Sequence, residues 1–313
     1  MGRHTPVLLR EVLEALAIRA DGRYVDATFG RGGHTAAVLE RLNAQGRVVA
    51  LDRDPDALRA GRERFADEAR LTLRASPFSR LAALLEEMEL VGRIDGVLLD
   101  LGVSSPQLDD AARGFSFAQD GPLDMRMDPQ HGASAADFLA RAPEHELARV
   151  IREYGEEKFA KRIARDIVAA RREGPLQRTS QLAELVARAV KTREPGKHPA
   201  TRTFQAIRIH VNDELAQLQA ALDGSLQALA PGGRLAAISF HSLEDGLVKR
   251  FMQKHSQEDP IYAGLPQIPP HARAKLRRIG RAIHPSAEEV AANPRARSAV
   301  LRVAERVAAL ASR

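Results

Sequence analysis

The residues best suited to chemistry come early, in the stretch Asp26-Ala27-Thr28-Phe29-Gly30-Arg31-Gly32-Gly33-His34-Thr35. Glycines admit positive φ and let a ligand approach backbone N–H groups that side chains would cover. The stretch follows the apolar pair Tyr24-Val25 and leads into a helix-like segment. Strand, glycine-rich turn and helix is how an α/β fold presents its backbone to a nucleotide-like ligand. Asp52 closes the next apolar run, Val48-Val49-Ala50-Leu51. It lies about 20 residues beyond Gly32, the spacing at which an acid binds ribose hydroxyls. Thr35 occupies the third glycine position of a dinucleotide fingerprint, and no G-K-[ST] phosphate loop is present. Asp26 would repel a pyrophosphate but suits a cation, such as the ammonium and sulfonium of S-adenosylmethionine.

Two later loops belong to the same kind of site. Asp100-Leu101-Gly102-Val103-Ser104-Ser105-Pro106-Gln107 follows a fourth apolar run. Its Ser105-Pro106-Gln107 is a partial version of the motif with which amino-methyltransferases hold an exocyclic amine. Such an amine is a poor nucleophile until two acceptors fix its N–H bonds and aim its lone pair. A structural Ser-Pro turn is the competing account. Phe240-His241-Ser242-Leu243-Glu244-Asp245 ends a fifth run, and His241 is placed to take a proton or to bond a base, or simply to be structural. Between these loops lies Arg113-Gly114-Phe115-Ser116-Phe117. Phe115 and Phe117 could stack on an extruded base with Arg113 on a phosphate, or anchor the segment to a core. The basic residues Lys158, Arg162, Arg165 and Arg172, and a second group at Arg273, Lys275, Arg277, Arg278 and Arg281, are candidate phosphate tracks or solvated faces.

The elements that position these loops alternate. Strands are expected at 23–29, 47–52, 71–75 and 95–101, with helices at 34–43, 55–65 and 78–90, which reads as a parallel sheet with helices on both faces. The next strand signal, Arg234 to Phe240, comes only after Pro231-Gly232-Gly233. A crossover needs about 30 residues, so the excess is an insertion. Its pattern is helical: Phe159, Ile163, Ile167 and Ala170 share one face, and a further helix is expected from Thr179 or Ser180 to Val190. Glu194 to Pro199 and 256–272 read as loops, and 273–281 with 298–303 as a closing antiparallel pair. The expected division is 1–108, core; 109–213, helical substrate-recognition insertion; 214–313, core.

Composition narrows the classes. The 313 residues contain no cysteine, which excludes disulfides and thiolate metal or redox sites. Histidines are scattered, so no metal is expected. No signal peptide or membrane-spanning run is visible, and a cytoplasmic protein is expected. The net charge of +6 favours an acidic partner such as nucleic acid, although only 7 of the 47 basic residues are lysine, a bias that raises charge without function.

Taken in order, these segments resemble the bacterial ribosomal RNA small subunit methyltransferase H family, which methylates cytosine N4. The resemblance rests on His4 to Leu8, Asp26 to His34, Leu51 to Pro55, Asp100 to Asp109, Arg113 to Phe117, Gly121 to Asp128, Thr203 to Arg208, Ile238 to Asp245 and Asn293 to Ser298. It implies a class I, Rossmann-like S-adenosylmethionine-dependent fold. It implies that Gly32, Gly33, His34, Asp52, Phe78, Asp100 and Gln107 bind the cofactor. It further implies a cytidine of 16S rRNA, in the decoding centre near the P site, as substrate. The partner is then naked rRNA or the small subunit, and a homodimer is allowed. Ser105 and His241 are the expected amine-orienting groups. Three rival readings are an NAD-linked oxidoreductase, disfavoured by Thr35 and Asp26; a non-catalytic RNA-binding assembly factor; and a DNA amino-methyltransferase.

Overall fold

Three of the first four strands end in an acid: Asp26 closes β1 (Arg23–Asp26), Asp52 closes β2 (Arg47–Asp52) and Asp100 closes β4 (Ile94–Asp100), while β3 spans Leu71–Ala75. In the computed structural model, residues 6–190, 198–262, 265 and 267–308 are described. They divide into two units, Met1–Gly102 with Leu215–Arg313, and Val103–Glu214.

The first unit carries a seven-stranded sheet in the order β3-β2-β1-β4-β5-β7-β6, completed by β5 (Leu229–Ser239), β6 (Leu276–Ile283) and β7 (Val300–Arg306). Only β7 runs antiparallel to its neighbours, as the closing pair predicts. Consecutive strand residues face opposite layers. Leu99 joins a core with Val25, Leu51, Leu222 and Phe251, whereas Leu98 joins one with Leu16, Val38, Val48 and Leu301. Burial on both faces explains why these strands read as unbroken apolar runs. Helices α1 (Leu9–Leu16), α2 (Gly33–Leu39), α3 (Pro55–Arg64) and α4 (Leu81–Glu87) come from the N-terminal part. Asp54 caps α3 by accepting from the Asp56 N–H at 2.9 Å. This is the Rossmann-like class I fold that the sequence predicts. The strand order reverses between β1 and β4, and ligands of such sheets bind at the carboxyl ends of the strands beside that point.

One element differs from expectation. β5 starts at Leu229 rather than Arg234, because Pro231-Gly232-Gly233 is a bulge inside the strand: Ile94 pairs with Leu229, and Gly96 with Arg234.

The second unit is helical: α5 (Ser105–Asp109), α6 (Ala135–Arg141), α7 (Glu144–Gly155), α8 (Ala160–Glu173), α9 (Thr179–Ala189) and α10 (Thr201–Asn212). Ile163 and Ile167 of α8 are fully buried beside Leu147, Ile151, Leu182 and Ile207. The unit begins at Val103 rather than 109, since Val103 and Leu108 already pack against this core, and it ends at Glu214 rather than 213. The chain returns to the first unit through α11 (Glu214–Ala228), then α12 (Ser242–His255) and α13 (Ala287–Ala292). His4, Thr5 and most of the expected loop at Glu194–Pro199 lie outside the described residues.

Candidate functional site

The glycine turn is built as the sequence suggests. Gly30 and Gly32 take φ of 56° and 68°. A side chain on Gly32 would collide with the rings of Phe29 and Phe65, both at about 2.7–2.8 Å from a Cβ. Gly33 lies under the Pro6 ring, which a Cβ would strike. Val7 follows, and its carbonyl accepts from His34 Nε2 at 3.1 Å. The segment Pro6-Val7 therefore lies over the turn. That bond fixes the His34 tautomer: Nε2 carries the proton and Nδ1 keeps a lone pair.

Asp52 reaches back to the same turn. Its Oδ2 accepts from the Gly30 N–H at 2.7 Å and its Oδ1 from the Asp54 N–H at 2.8 Å. Burial pushes this carboxyl up to about 6, against the pull of those N–H donors. Ser76, after β3, donates its N–H to the Asp52 carbonyl at 2.9 Å. Phe78 opens the short 3-10 turn that follows and packs against the first core, so the ends of β2 and β3 lie side by side.

Asp26 does not lie open to a ligand cation. Only 5% exposed, it accepts from the Thr28 N–H at 3.2 Å and the Thr35 hydroxyl at 2.7 Å. Thr35, which departs from the dinucleotide pattern, is here the partner of the buried acid. Burial pushes Asp26 up and His34 down from their ordinary values, each opposed by the other's charge. Asp100 differs. Its N–H donates to the Thr28 hydroxyl at 2.7 Å, but its carboxyl Oδ1 is buried with no hydrogen-bond partner. Its Oδ2 lies 3.5 Å from His34 Nδ1. Burial, then Asp26 and Glu244, push this carboxyl up to about 8.

Glu244, not singled out from the sequence, is buried in the first turn of α12. Its Oε2 accepts from the Phe240 N–H at 2.8 Å. His241 is the N-cap of this helix: Nδ1 accepts from the Glu244 N–H at 3.4 Å, and Nε2 lies 3.2 Å from Glu244 Oε1, outside hydrogen-bonding geometry. His241 thus caps the N-terminus of α12.

The remaining expected residues belong to the second unit. Gln107 is buried, and its Oε1 accepts from the Ser104 N–H at 2.9 Å in a capping box that starts α5, whose first residue is Ser105. Phe115 is buried in the helical core, so it is an anchor and not an open stacking surface. Arg113 donates from one guanidinium nitrogen to the carbonyls of Arg126 and Met127 at 3.1 and 2.9 Å, which ties it to the backbone. Phe117 is half-buried, 4.6 Å from the His198 ring and 4.8 Å from Phe204. Arg162 pairs with Asp166 at 3.8 Å, while Lys158, Arg165 and Arg172 are exposed. Arg277 pairs with Glu305 and Arg273 donates to the Ile268 carbonyl, while Lys275, Arg278 and Arg281 are exposed. Among the described residues no helix is long and apolar enough to cross a membrane.

Known proteins place this arrangement. The proteins named Ribosomal RNA small subunit methyltransferase H from Thiobacillus denitrificans and Thioalkalivibrio sulfidiphilus are 60% and 58% identical to this chain over 306 residues. The matches cover 97% of this chain and 97% and 98% of those proteins. Among solved structures, an rRNA methylase from Streptococcus thermophilus aligns over 98% of this chain and 100% of its own, with a TM-score of 0.43 and 13% identity. The MraW methylase family matches residues 1–307, and the chain belongs to that family.

Proposed function

We propose that this chain transfers a methyl group from S-adenosylmethionine to N4 of a cytidine in 16S rRNA, in the decoding centre near the P site. The observation that carries the rRNA substrate is the 60% identity, over nearly the full length of both chains, to a protein named for ribosomal RNA small subunit methylation. The cytosine and its position rest on what the family resemblance implies.

The residues present fit the cofactor. Gly32 and Gly33 leave no room for side chains, Asp52 retains lone pairs for ribose hydroxyls, and Asp100 keeps an unpartnered buried oxygen. Gly32, Gly33, His34, Asp52, Phe78, Asp100 and Gln107 are the proposed cofactor residues. His34 acts through its bond to Val7 and Gln107 by capping α5. S-adenosylmethionine supplies an activated methyl group, so the protein's task is orientation, charge balance and exclusion of water. Ser105 is the retained candidate for holding the N4 amine. His241, the other expected amine-orienting group, caps α12.

Labelled S-adenosylmethionine incubated with small subunits, naked 16S rRNA or DNA, followed by digestion to nucleosides, tests this reading. N4-methylcytidine from subunits or rRNA alone is expected. Label in DNA only, or on another base, would overturn it.

A further inference from the structure

The carboxyl ends of β1 and β4 and the first turn of α12 bring together Asp26, Asp100 and Glu244. Among the described residues no lysine or arginine forms an ion pair with Asp26 or Asp100. The ring that faces them, His34 from α2, is held neutral by burial. Asp26 has both oxygens satisfied by Thr28 and Thr35, but Asp100 Oδ1 has no donor. The Asp100 side chain is one-quarter exposed but its Oδ1 is buried, so an ionised carboxylate there would be partly desolvated, under-bonded at Oδ1 and beside two further acids, which favours the neutral acid. The geometry agrees. With His34 neutral and its proton on Nε2, the Nδ1 that lies 3.5 Å from Asp100 Oδ2 offers that oxygen no N–H. Burial first, then Asp26 and Glu244, account for a carboxyl that titrates at about 8.

We propose that Asp100 selects the cofactor by charge: its carboxyl keeps a proton while no cation is near, releases it to solvent when the sulfonium of S-adenosylmethionine enters, and takes one up again when methyl loss leaves the sulfur neutral. This rests on the S-adenosylmethionine reading above. It makes the methyl donor and the demethylated product different in charge at Asp100 Oδ1, a buried oxygen without a hydrogen-bond partner. The sign follows from linkage. Binding that favours the ionised acid must expel a proton below its free-site pKa, so affinity for S-adenosylmethionine rises about tenfold per pH unit up to about 8 and levels off above it.

Calorimetric titration of the full-length protein in two buffers of very different ionisation enthalpy reads the proton directly. At pH 7, S-adenosylmethionine should release about 0.9 proton, falling to about 0.1 at pH 9. S-adenosylhomocysteine should release less than half as much at pH 7, and Asp100→Asn should release none with either ligand. Heats that do not depend on buffer, or equal release by both ligands, would overturn the proposal while leaving the cofactor reading intact. Absence of any binding heat with S-adenosylmethionine would overturn both. The wild-type comparison at the two pH values stands even if Asp100→Asn does not fold.

Discussion

The turn at Asp26–Thr35 and the segment at Arg113–Asp128 look alike in sequence: both are dense in glycine, acid, arginine and phenylalanine. They differ in what their polar groups do. In the second segment almost every group closes on its own unit. Arg113 bonds two carbonyls, and Arg126 holds Asp124 through bonds of 2.8 and 2.7 Å. Asn212 receives from the Met127 N–H at 2.8 Å and donates to the Met125 carbonyl at 2.7 Å. Gly121 is required because a Cβ would strike the Ala111 carbonyl. At the strand ends around the first region three acids are pushed up by burial, Asp26, Asp52 to about 6 and Asp100 to about 8, and the Asp100 Oδ1 is left unbonded. Motif density marks irregular backbone. Unfinished electrostatics marks the place where a ligand completes the structure.

Substitutions can break this contrast. The largest effect is expected from Phe115→Ala, which should cost roughly 3–5 kcal/mol of stability by emptying a core position. Cofactor affinity, measured by calorimetry on the folded protein, should stay unchanged, and an unchanged Tm would return Phe115 to a substrate-stacking role. Asp52→Ala should weaken S-adenosylmethionine binding about 100-fold, since charge-assisted bonds to hydroxyls are worth about 1.5–3 kcal/mol each. Unaltered affinity would remove Asp52 from the site. Arg113→Ala leaves two carbonyls without their donor and should cost about 1–3 kcal/mol in denaturant titrations. A selective loss of RNA binding at unchanged stability would contradict that structural role.

The smallest effect sharpens the contrast through pH. A buried acid whose folded pKa is raised stabilises the fold below its folded pKa relative to its ionised form. Stability therefore falls as pH rises from about 4, the unfolded value, through the folded values near 6 and 8. In the helical unit the sign is opposite. The Arg178 guanidinium holds Asp120 down at about 2, so its contribution is present above about 4 and lost as pH falls to about 2. Burial raises Asp124, but the two bonds from Arg126 outweigh it and hold it low. Asp100→Asn should accordingly raise Tm at pH 8, where the raised carboxyl is costing stability, with no gain at pH 4, where the acid is protonated in both states. Thermal melts at both pH values check it, and a Tm gain of equal size at pH 4 would point to packing rather than to charge.

Much of the sheet was legible because its strands are buried on both faces and end in acids. The strand expected at 47–52 is β2, Arg47–Asp52, to the residue. β1 reads three residues too long, since Ala27 and Phe29 still donate to Leu98 and Leu51 while the strand itself stops at Asp26. The site was harder. Gly32 and Asp52 carry their roles in spacing. Thr35 looked like a defect in a glycine pattern, yet it satisfies Asp26. Glu244 looked like one more acid at a helix start. Its burial depends on packing from elements distant in sequence, which spacing does not record. The helix at Leu9–Leu16 carries the same kind of signal, with Leu9, Val12, Leu13 and Leu16 on one face, in a segment too short to stand out by periodicity.

The bulged strand β5 also governs the order in which the chain can be completed during synthesis. β4 is central in the finished sheet, flanked by β1 and β5. β5 follows only after the whole helical unit. Until residue 239 emerges, β4 is an edge: its apolar run Val97-Leu98-Leu99 has an unpaired ladder on one side, the configuration that invites pairing with another chain. The helical unit, by contrast, contains all the parts of its own core as soon as α10 is made. A chain truncated between Asn212 and Leu229 should therefore aggregate through the N-terminal half-sheet while its helical unit stays protected.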